Sequence, residues 1–457
     1  MKHKPLTWYL TSMLVLASLV LGACTTPPAA STAAPASGGG EVKITYSLWD
    51  TNQLAPYQQC ATDFMAKNPK LKIEITQMGW GDYWSNLQTS MAAGNALDVF
   101  TNHLAKYPEF ASKNQLVDIQ PLVARDKVDL GIYLSGLADL WARDGKRFGL
   151  PKDWDTIAVV YNKDMLDKAG VTVEELNNAT WNPQDGGTFQ QMMAKMTLDK
   201  NGKNALDPAF DKNNIVQYGF IPLSGTDSGG PYGQTQWSHF AYSNGWKFND
   251  KLYDTKYYYD DPKLISTITW MQKLMLEKHY APPFTDIASL GGAALFSSGK
   301  VAMVTDGSWT ITYYAKATFK VGFARLPLGP NGRKSMFNGL ADSIWVGSKH
   351  QAEAWQWVKY LASPECANVV GAAGVVFPAQ ETAVNKAVEA YKAKGLDISA
   401  YTKQALEKDG TFLFPVTDHA SEITPIMDEI MGSIWLGKAD PATALPDAAK
   451  KVNALFK

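Results

Sequence analysis

The chain has 457 residues, and its 43 basic and 44 acidic side chains leave a formal net charge of −1. This length gives room for about two or three domains with sizeable cores. The balanced charge argues against a nucleic-acid-binding protein, because such proteins carry a strongly basic face.

The N-terminus is typical of an export signal. Lys2 and Lys4 precede a nearly uncharged run over residues 6–21, which is too short for a comfortable membrane span. The four residues LGAC at 21–24 resemble the bacterial lipoprotein box, in which the cysteine carries lipid. We therefore expect a signal peptide over 1–23, lipidation of Cys24, and a membrane anchor on the outer face of the cytoplasmic membrane. Ordinary cleavage, with Cys24 incidental, is the alternative.

Residues 24–40 contain no large apolar side chain and predict a disordered tether. After the tether, strand and helix patterns alternate. Strands are predicted over 41–48, 71–77 and 98–100, and helices over 53–67 and 83–93. This alternation predicts an α/β fold with a mostly parallel sheet.

Aromatic and polar residues follow the predicted strands. Trp49 and Asp50 follow the first strand, Trp80 the second, and Asn102 the third. Ligands of such sheets bind beyond the carboxyl ends of the strands, so these residues indicate a binding site.

Further along the chain, residues 157–161 form an apolar run, and strands are predicted over 301–304 and 321–324. Helices are predicted over 188–196 and 262–280, the second with Asp261 as its N-cap. The C-terminal third is predicted to be mainly helical, and its last helix begins at Asp440 and Pro441.

The sequence contains no zinc-protease signature and no serine-hydrolase elbow. We expect no metal and no cofactor. Asp153 and Asp155 lie two residues apart, so a glycosidase with paired carboxyl groups stays open as an alternative. Cys60 and Cys366 form either a disulfide, which export permits, or two buried thiols.

Four stretches make the chain similar to the family 1 solute-binding proteins of ABC transporters, the group that includes maltose-binding proteins. They are residues 80–100, 150–164 (LPKDWDTIAVVYNKD), 296–309 (FSSGKVAMVTDGSW) and 337–364. The resemblance implies a type II periplasmic-binding-protein fold with two lobes, each a mostly parallel sheet flanked by helices. Residues 41–155 and 326–380 would form the first lobe, and 156–325 and 381–457 the second, with a hinge between them. Cys60 and Cys366 would then share a lobe.

The resemblance also implies a function. A monomer would capture a carbohydrate, from a mono- to an oligosaccharide, in the cleft between the lobes and deliver it to ABC transporter permease subunits without enzymatic conversion. A glycoside hydrolase, a surface adhesin and a binding protein for a non-sugar solute are the alternatives.

Candidate ligand residues follow from position and chemistry together, because aromatic rings cover the apolar faces of sugars while carboxylates and amides bind the hydroxyl groups. The candidates of the first lobe are Trp49, Asp50, Trp80, Tyr83, Asn102, Asp153, Trp154, Asp155, Asn338 and Gly339. Those of the second lobe are Tyr232, Gln234, Trp237, Asp306, Trp309 and Glu422.

Overall fold

The computed structural model describes residues 40–134 and 136–457. The predicted signal peptide, Cys24 and the predicted tether as far as residue 39 lie outside the described residues. Among the helices of the described ranges, none combines the length and the apolar character that a membrane crossing requires.

The strands alternate with helices in the first part of the chain, as the sequence pattern predicts. The strands are β1 Val42–Leu48, β2 Leu71–Gln77, β3 Val99–His103, β4 Ala142–Arg143, β5 Lys146–Arg147, β6 Leu150–Asp155, β7 Ile157–Asn162, β8 Leu198–Asp199, β9 Ile215–Gln217, β10 Met303–Gly307, β11 Val321–Ala324, β12 Ser335–Ile344, β13 Phe377–Pro378 and β14 Thr411–Leu413.

The helices dominate the middle and the end of the chain. The α-helices are α1 Thr51–Lys67, α2 Trp80–Ala92, α3 Tyr107–Ser112, α4 Gln120–Arg125, α5 Lys163–Lys168, α6 Val173–Asn177, α7 Gly187–Met196, α8 Ser238–Ser243, α9 Pro262–Leu276, α10 Phe284–Leu290, α11 Gly292–Ser297, α12 Ile311–Tyr314, α13 Gln351–Leu361, α14 Pro364–Ala373, α15 Glu381–Ala393, α16 Ser399–Leu406, α17 Ala420–Trp435 and α18 Pro441–Ala454. Short 3₁₀ helices span Leu130–Ile132, Asp139–Trp141 and Ser308–Thr310.

Two sheets organise the fold. The large sheet has the strand order β2-β1-β3-β12-β6-β13, and β14 pairs with the beginning of β12. The small sheet has the order β10-β7-β11. The expectation of mostly parallel sheets is wrong in this detail. In the large sheet, β1 pairs in parallel with β2 and with β3, and β14 pairs in parallel with β12. The other pairings of this sheet are antiparallel, because β12 lies antiparallel between β3 and β6 and β13 lies antiparallel to β6. The small sheet is antiparallel in both of its strand pairings.

The chain passes between the sheets at three places close together. Thr156 alone separates the end of β6 in the large sheet from the start of β7 in the small one. The chain returns to the large sheet between β11 and β12. It leaves the large sheet again after β14, which pairs with the first residues of β12, and leads to α17, whose Trp435 donates to the Ser228 carbonyl in the segment between β7 and β10. Asp155 pairs with Asn338 across β6 and β12, so both residues lie where the sheets meet. We call the two halves the large-sheet side and the small-sheet side.

A buried ion pair fixes the strands beneath this meeting point. The Lys152 amine donates to the Tyr46 hydroxyl at 2.8 Å and to the Thr101 hydroxyl at 2.9 Å, and it lies 3.4 Å from an Asp342 oxygen. The lysine also lies 4.0 Å from the centre of the Tyr57 ring. A register shift in the β6–β12 pairing falls at this lysine. The network therefore joins β1, β3, β6 and β12 with its charges paired, as burial requires.

Cys60 on α1 and Cys366 on α14 form a disulfide, with an S–S distance of 2.12 Å. Both residues are fully buried, and 306 positions separate them in the sequence. The bond therefore connects α1 to α14, and both helices lie on the large-sheet side.

Candidate functional site

An aromatic cluster lies at the carboxyl ends of β1, β2 and β3. We define it as Trp49, Trp80, Tyr83, Trp84 and His103. The Trp49 ring centre lies 5.1 Å from that of Trp80, 5.2 Å from Tyr83 and 5.5 Å from Trp84. Trp80 also lies 5.5 Å from His103, and 48% of its surface is exposed. Three strand ends thus bring their side chains together, as the strand order predicts.

A chain of polar contacts begins at this cluster and leads across to the small-sheet side. We define the polar chain as His103, Asn338, Asp155 and Gln234. The Asn338 amide nitrogen lies 2.9 Å from His103 Nε2 and donates to Asp155 Oδ2 at 3.2 Å. The Gln234 amide donates to Asp155 Oδ1 at 2.9 Å. Within the polar chain, Asp155 therefore links the two sides, because it accepts one hydrogen bond from Asn338 and one from Gln234.

Two further aromatic rings lie next to the polar chain. The Phe414 ring, which follows β14, lies 5.3 Å from the His103 ring and 4.4 Å from the Tyr232 ring. Tyr232 and Gln234 belong to a loop that Thr305 of β10 holds through a 2.7 Å hydrogen bond to the Thr235 carbonyl. The site thus has rings on both sides and amide and carboxyl groups between them.

Burial controls the charge of this site. It lowers the pKa of His103 to about 3, and the nearby Lys106 charge adds to the effect, so the imidazole is neutral at physiological pH. Burial raises the pKa of Asp155 well above its usual range, and the charge of Asp153 acts in the same direction. The hydrogen bonds from Asn338 and Gln234 oppose that shift.

Asp153 is more buried than Asp155, and its Oδ2 atom has no hydrogen-bond partner among the described residues. Burial raises the pKa of Asp153 to about 7, although the Lys152 charge works against the shift. With a pKa of about 7, the Asp153 carboxyl group holds its proton below neutral pH and releases it as the pH rises above that value.

Replacing Asp153 by asparagine should flatten the pH dependence of stability. The folded protein holds the Asp153 proton to about pH 7, whereas the unfolded chain releases it near the ordinary value of 3.8. The stabilisation is therefore present below that value and is lost as the pH rises through about 7. Urea unfolding at several pH values should show a loss of about 2–4 kcal/mol that Asp153→Asn removes. Exposed Asp82→Asn is the control, and equal slopes in all three proteins would contradict the assignment.

Several candidate residues from the sequence analysis are structural in this fold. Trp237 is fully buried against Trp246 and Phe248. Trp154 stacks between Phe337 and Phe377. Neither ring faces the polar chain, because core packing surrounds both, so we do not carry them into the proposed site.

Three other candidates on the large-sheet side support the site from beneath. Asp50 caps α1 by accepting from the Asn52 backbone N–H at 2.9 Å. The Tyr83 hydroxyl donates to the Thr101 carbonyl at 2.6 Å. Asn102 lies inside β3, not after it, and its amide donates to Ser343. The strand runs three residues past its predicted end, which leaves His103 at the position for which the sequence suggested Asn102.

The remaining candidates lie outside the cluster and the polar chain. The buried Asp306 carboxylate accepts from the Tyr314 hydroxyl at 2.6 Å. The half-buried Trp309 ring covers Gly307, where an added Cβ would come within 2.0 Å of the ring. Gly339 packs under Leu137, and the exposed Glu422 pairs with His419.

Trp84, His103 and Phe414 are the site residues that are absent from the sequence-based candidates. Trp84 lies within α2, where the helical pattern favours a packing role. His103 ends β3, so an accurate strand end would have identified it. Phe414 follows a strand of three residues whose partner lies far away in the sequence, and no local pattern marks it.

The model of the family described as bacterial extracellular solute-binding protein matches residues 49–367. The galactooligosaccharide-binding protein of Bacillus subtilis is 23% identical over 450 residues, covering 96% of this chain and 95% of the relative. The maltodextrin-binding protein of the same organism is 25% identical over 340 residues, covering 72% of this chain and 71% of the relative.

A solved structure shares the fold. The ABC substrate-binding protein from Listeria monocytogenes in complex with cycloalternan superposes with a TM-score of 0.77 at 21% identity, covering 91% of this chain and 99% of that chain. The match to the family model includes β6, β7, β10 and most of the strands that form the site. The chain belongs to the bacterial extracellular solute-binding protein family.

Proposed function

We propose that this protein captures a neutral carbohydrate against the aromatic cluster and the polar chain and delivers it unchanged to the permease subunits of an ABC importer. The observation that carries the proposal is the pairing of exposed ring surface on Trp80 with a line of amide and carboxyl groups ending at Gln234. The relatives named for galactooligosaccharide and maltodextrin binding support the carbohydrate class.

The chemistry of the site fits a sugar. A pyranose ring presents apolar C–H faces, which stack on aromatic side chains, and a rim of hydroxyl groups. Asp155 and the amides of Asn338 and Gln234 supply both acceptors and donors for that rim. The arrangement favours a ligand with many hydroxyl groups over a peptide or a purely apolar molecule.

The charge of the site favours a neutral ligand. The polar chain consists of a neutral imidazole, two amides and one carboxyl group. Lys106 lies over the Trp84 ring at 5.8 Å and makes no hydrogen bond within the polar chain. A phosphorylated ligand would normally require arginine or lysine at hydrogen-bonding distance, so we expect it to be rejected.

We also propose that the two sides are lobes that close on the ligand about the three crossings. The lobes would be residues 41–155 with 326–380, and 156–325 with 381–457. Because α15 packs on α14 and β13, it fits better in the first lobe, and the boundary at residue 380 would then move past Ala393. Hinge closure of this kind requires a few residues at element ends, which Thr156 and residues 325–334 provide.

The export signal and the LGAC sequence support two further proposals. The mature protein begins at Cys24, and the lipid that it carries there anchors it to the outer face of the cytoplasmic membrane. No enzymatic step is assigned to it.

A thermal-shift screen tests the proposed function. A ligand that binds only the folded protein raises the melting temperature. We expect one or more neutral mono- to oligosaccharides to raise it, and glycerol phosphate and peptides to leave it unchanged. A response to phosphates or peptides alone would refute the carbohydrate assignment.

Trp49→Ala should weaken sugar binding by about tenfold, because aromatic contacts contribute about 0.5–1.5 kcal/mol beyond burial. Trp49 contacts the rings of Trp80, Tyr83 and Trp84, so its loss also loosens the exposed Trp80. Titration calorimetry measures the change. Tyr313→Ala, an exposed aromatic outside the cluster, is the control. Equal affinity in both variants would place Trp49 outside the ligand contact.

A further inference from the structure

A second set of contacts joins the two sides away from the aromatic cluster. Arg143, at the end of β4, donates through one guanidinium nitrogen to both Asp418 oxygens, at 2.6 and 2.8 Å. Each side chain is 29% exposed. A pair that is shielded to this extent and doubly bonded is stronger than an ordinary surface pair.

Tyr253 completes the contact set. Its ring centre lies 4.1 Å from the Arg143 guanidinium carbon, within the range of a cation–π interaction. Its hydroxyl lies 2.6 Å from the Tyr107 hydroxyl, which also donates to the Leu140 carbonyl at 2.6 Å. One tyrosine therefore contacts both Arg143 and Tyr107.

The backbone of Tyr253 is held in an unusual conformation. Its φ is 55°, a region that aromatic residues rarely adopt. The Tyr253 N–H donates to the Val416 carbonyl at 2.9 Å, which fixes the turn. The fold keeps a strained residue where its ring and hydroxyl meet the opposite side, and strain of this kind is concentrated at functional positions.

The four side chains come from opposite sides. Tyr107 begins α3 directly after the large-sheet strand β3, and the hairpin of Arg143 joins β12 through the Ser343 bond to the Phe148 carbonyl at 2.7 Å. Asp418 precedes α17, whose Trp435 donates at 2.8 Å to the Ser228 carbonyl in the loop of the small-sheet side. The contacts therefore connect the two proposed lobes.

We propose that Arg143, Asp418, Tyr107 and Tyr253 form an interlobe contact that stabilises the closed form and thereby sets ligand affinity. The proposal rests on the lobe closure of the proposed function. These four are positioning residues, because they act on the equilibrium between open and closed forms. The apparent dissociation constant rises as the closed fraction falls, even though the ligand contacts are unchanged.

The contact also makes closure depend on salt and on hydrogen-bond geometry. Arg143→Lys keeps the charge but loses the planar guanidinium, so it should give an intermediate effect. Tyr253→Phe keeps the ring under Arg143 and removes only the hydroxyl that meets Tyr107. Of these variants, Tyr253→Phe should disturb folding least, because the size and shape of the side chain are nearly unchanged.

Single-molecule energy transfer on the ligand-free protein tests the proposal directly. Dyes on non-natural amino acids at exposed Gln88 of α2 and Lys273 of α9 report the distance between the sides. Arg143→Ala should shift the distance distribution toward longer values and weaken sugar binding about tenfold, in line with loss of a charged hydrogen bond. Tyr253→Phe should shift both in the same direction by less.

Arg125→Ala is the matched control, because Arg125 pairs with its neighbour Asp126 within the large-sheet side. If Arg143→Ala and Tyr253→Phe give the same distances as Arg125→Ala, the proposal is refuted. Failure of the protein to bind any sugar would refute the proposed function. The distance comparison would still test the interlobe contact, because the distance is measured without ligand. Sugar binding together with unchanged distances would refute the interlobe contact alone.

Discussion

Asp155→Ala should weaken carbohydrate binding by about 100-fold, which corresponds to about 3 kcal/mol at 25 °C. Asp155 accepts from Asn338 of β12 at 3.2 Å and from Gln234, in the loop before α8, at 2.9 Å. Its removal takes away the acceptor that we propose for the ligand, and it leaves two amide donors without their partner. Each unsatisfied buried donor costs about 1–3 kcal/mol. Titration calorimetry with the sugar found in the thermal-shift screen measures the loss.

Gln234→Ala separates the two parts of this effect. It removes the donor from the small-sheet side but leaves the carboxyl group, so we expect a smaller loss, near tenfold. Exposed Asp82→Ala should bind like the native protein. Native affinity in Asp155→Ala, with the fold intact by circular dichroism, would remove Asp155 from the ligand site.

Loss of the Cys60–Cys366 disulfide should lower the free energy of unfolding by about 3–5 kcal/mol. The bond closes a loop spanning 306 positions, and the entropy that such a loop removes from the unfolded chain increases with the logarithm of its length. Because both sulfur atoms are buried, the native bond resists reductant until the protein opens. Urea unfolding of the oxidised and the fully reduced protein measures the difference.

A cysteine-free variant of the pair provides the control. Cys60→Ala with Cys366→Ala should be destabilised by a similar amount, plus a small packing loss. Reductant should then have no further effect on it. Equal stability of the oxidised and reduced native protein would show that α1 and α14 stay together without the covalent bond.

The first part of the fold could be predicted from local pattern. The predicted strand over 71–77 coincides with β2, and the strand over 41–48 exceeds β1 by one residue. Both strands alternate apolar and polar side chains on a half-buried sheet, which is the condition under which period-two patterns are most informative. The Asp261 cap and the last helix after Asp440 are also predictable, from the capping residue, the proline after it and the apolar face of each helix.

The strand ends and the long-range pairings could not be predicted in the same way. β3 is buried along its whole length, so it shows no alternation that would mark its end at His103. The insertion of β12 between β3 and β6 depends on residues far apart in the chain. The mixed sheet, and the contact of Phe414 with His103, follow from that insertion.

Tryptophan illustrates the limit of composition. Trp49, Trp80 and Trp237 all follow turns or strand ends in the sequence, yet Trp237 is enclosed by Trp246 and Phe248 while Trp80 remains half exposed. Only the tertiary packing decides which ring is available to a ligand. The contact of Arg143 with Asp418 could not be predicted from local sequence either, because the two residues lie 275 positions apart.

Titration calorimetry with analysis of the recovered ligand tests whether the protein binds a neutral sugar through Asp155 without converting it. The protein is titrated with the neutral sugar that most raises its melting temperature, and the sugar is then recovered and analysed by chromatography. We expect saturable binding at one site per chain, strongly weakened in Asp155→Ala, and recovery of the sugar unchanged. Release of a shorter sugar, or binding that does not depend on Asp155, would contradict it.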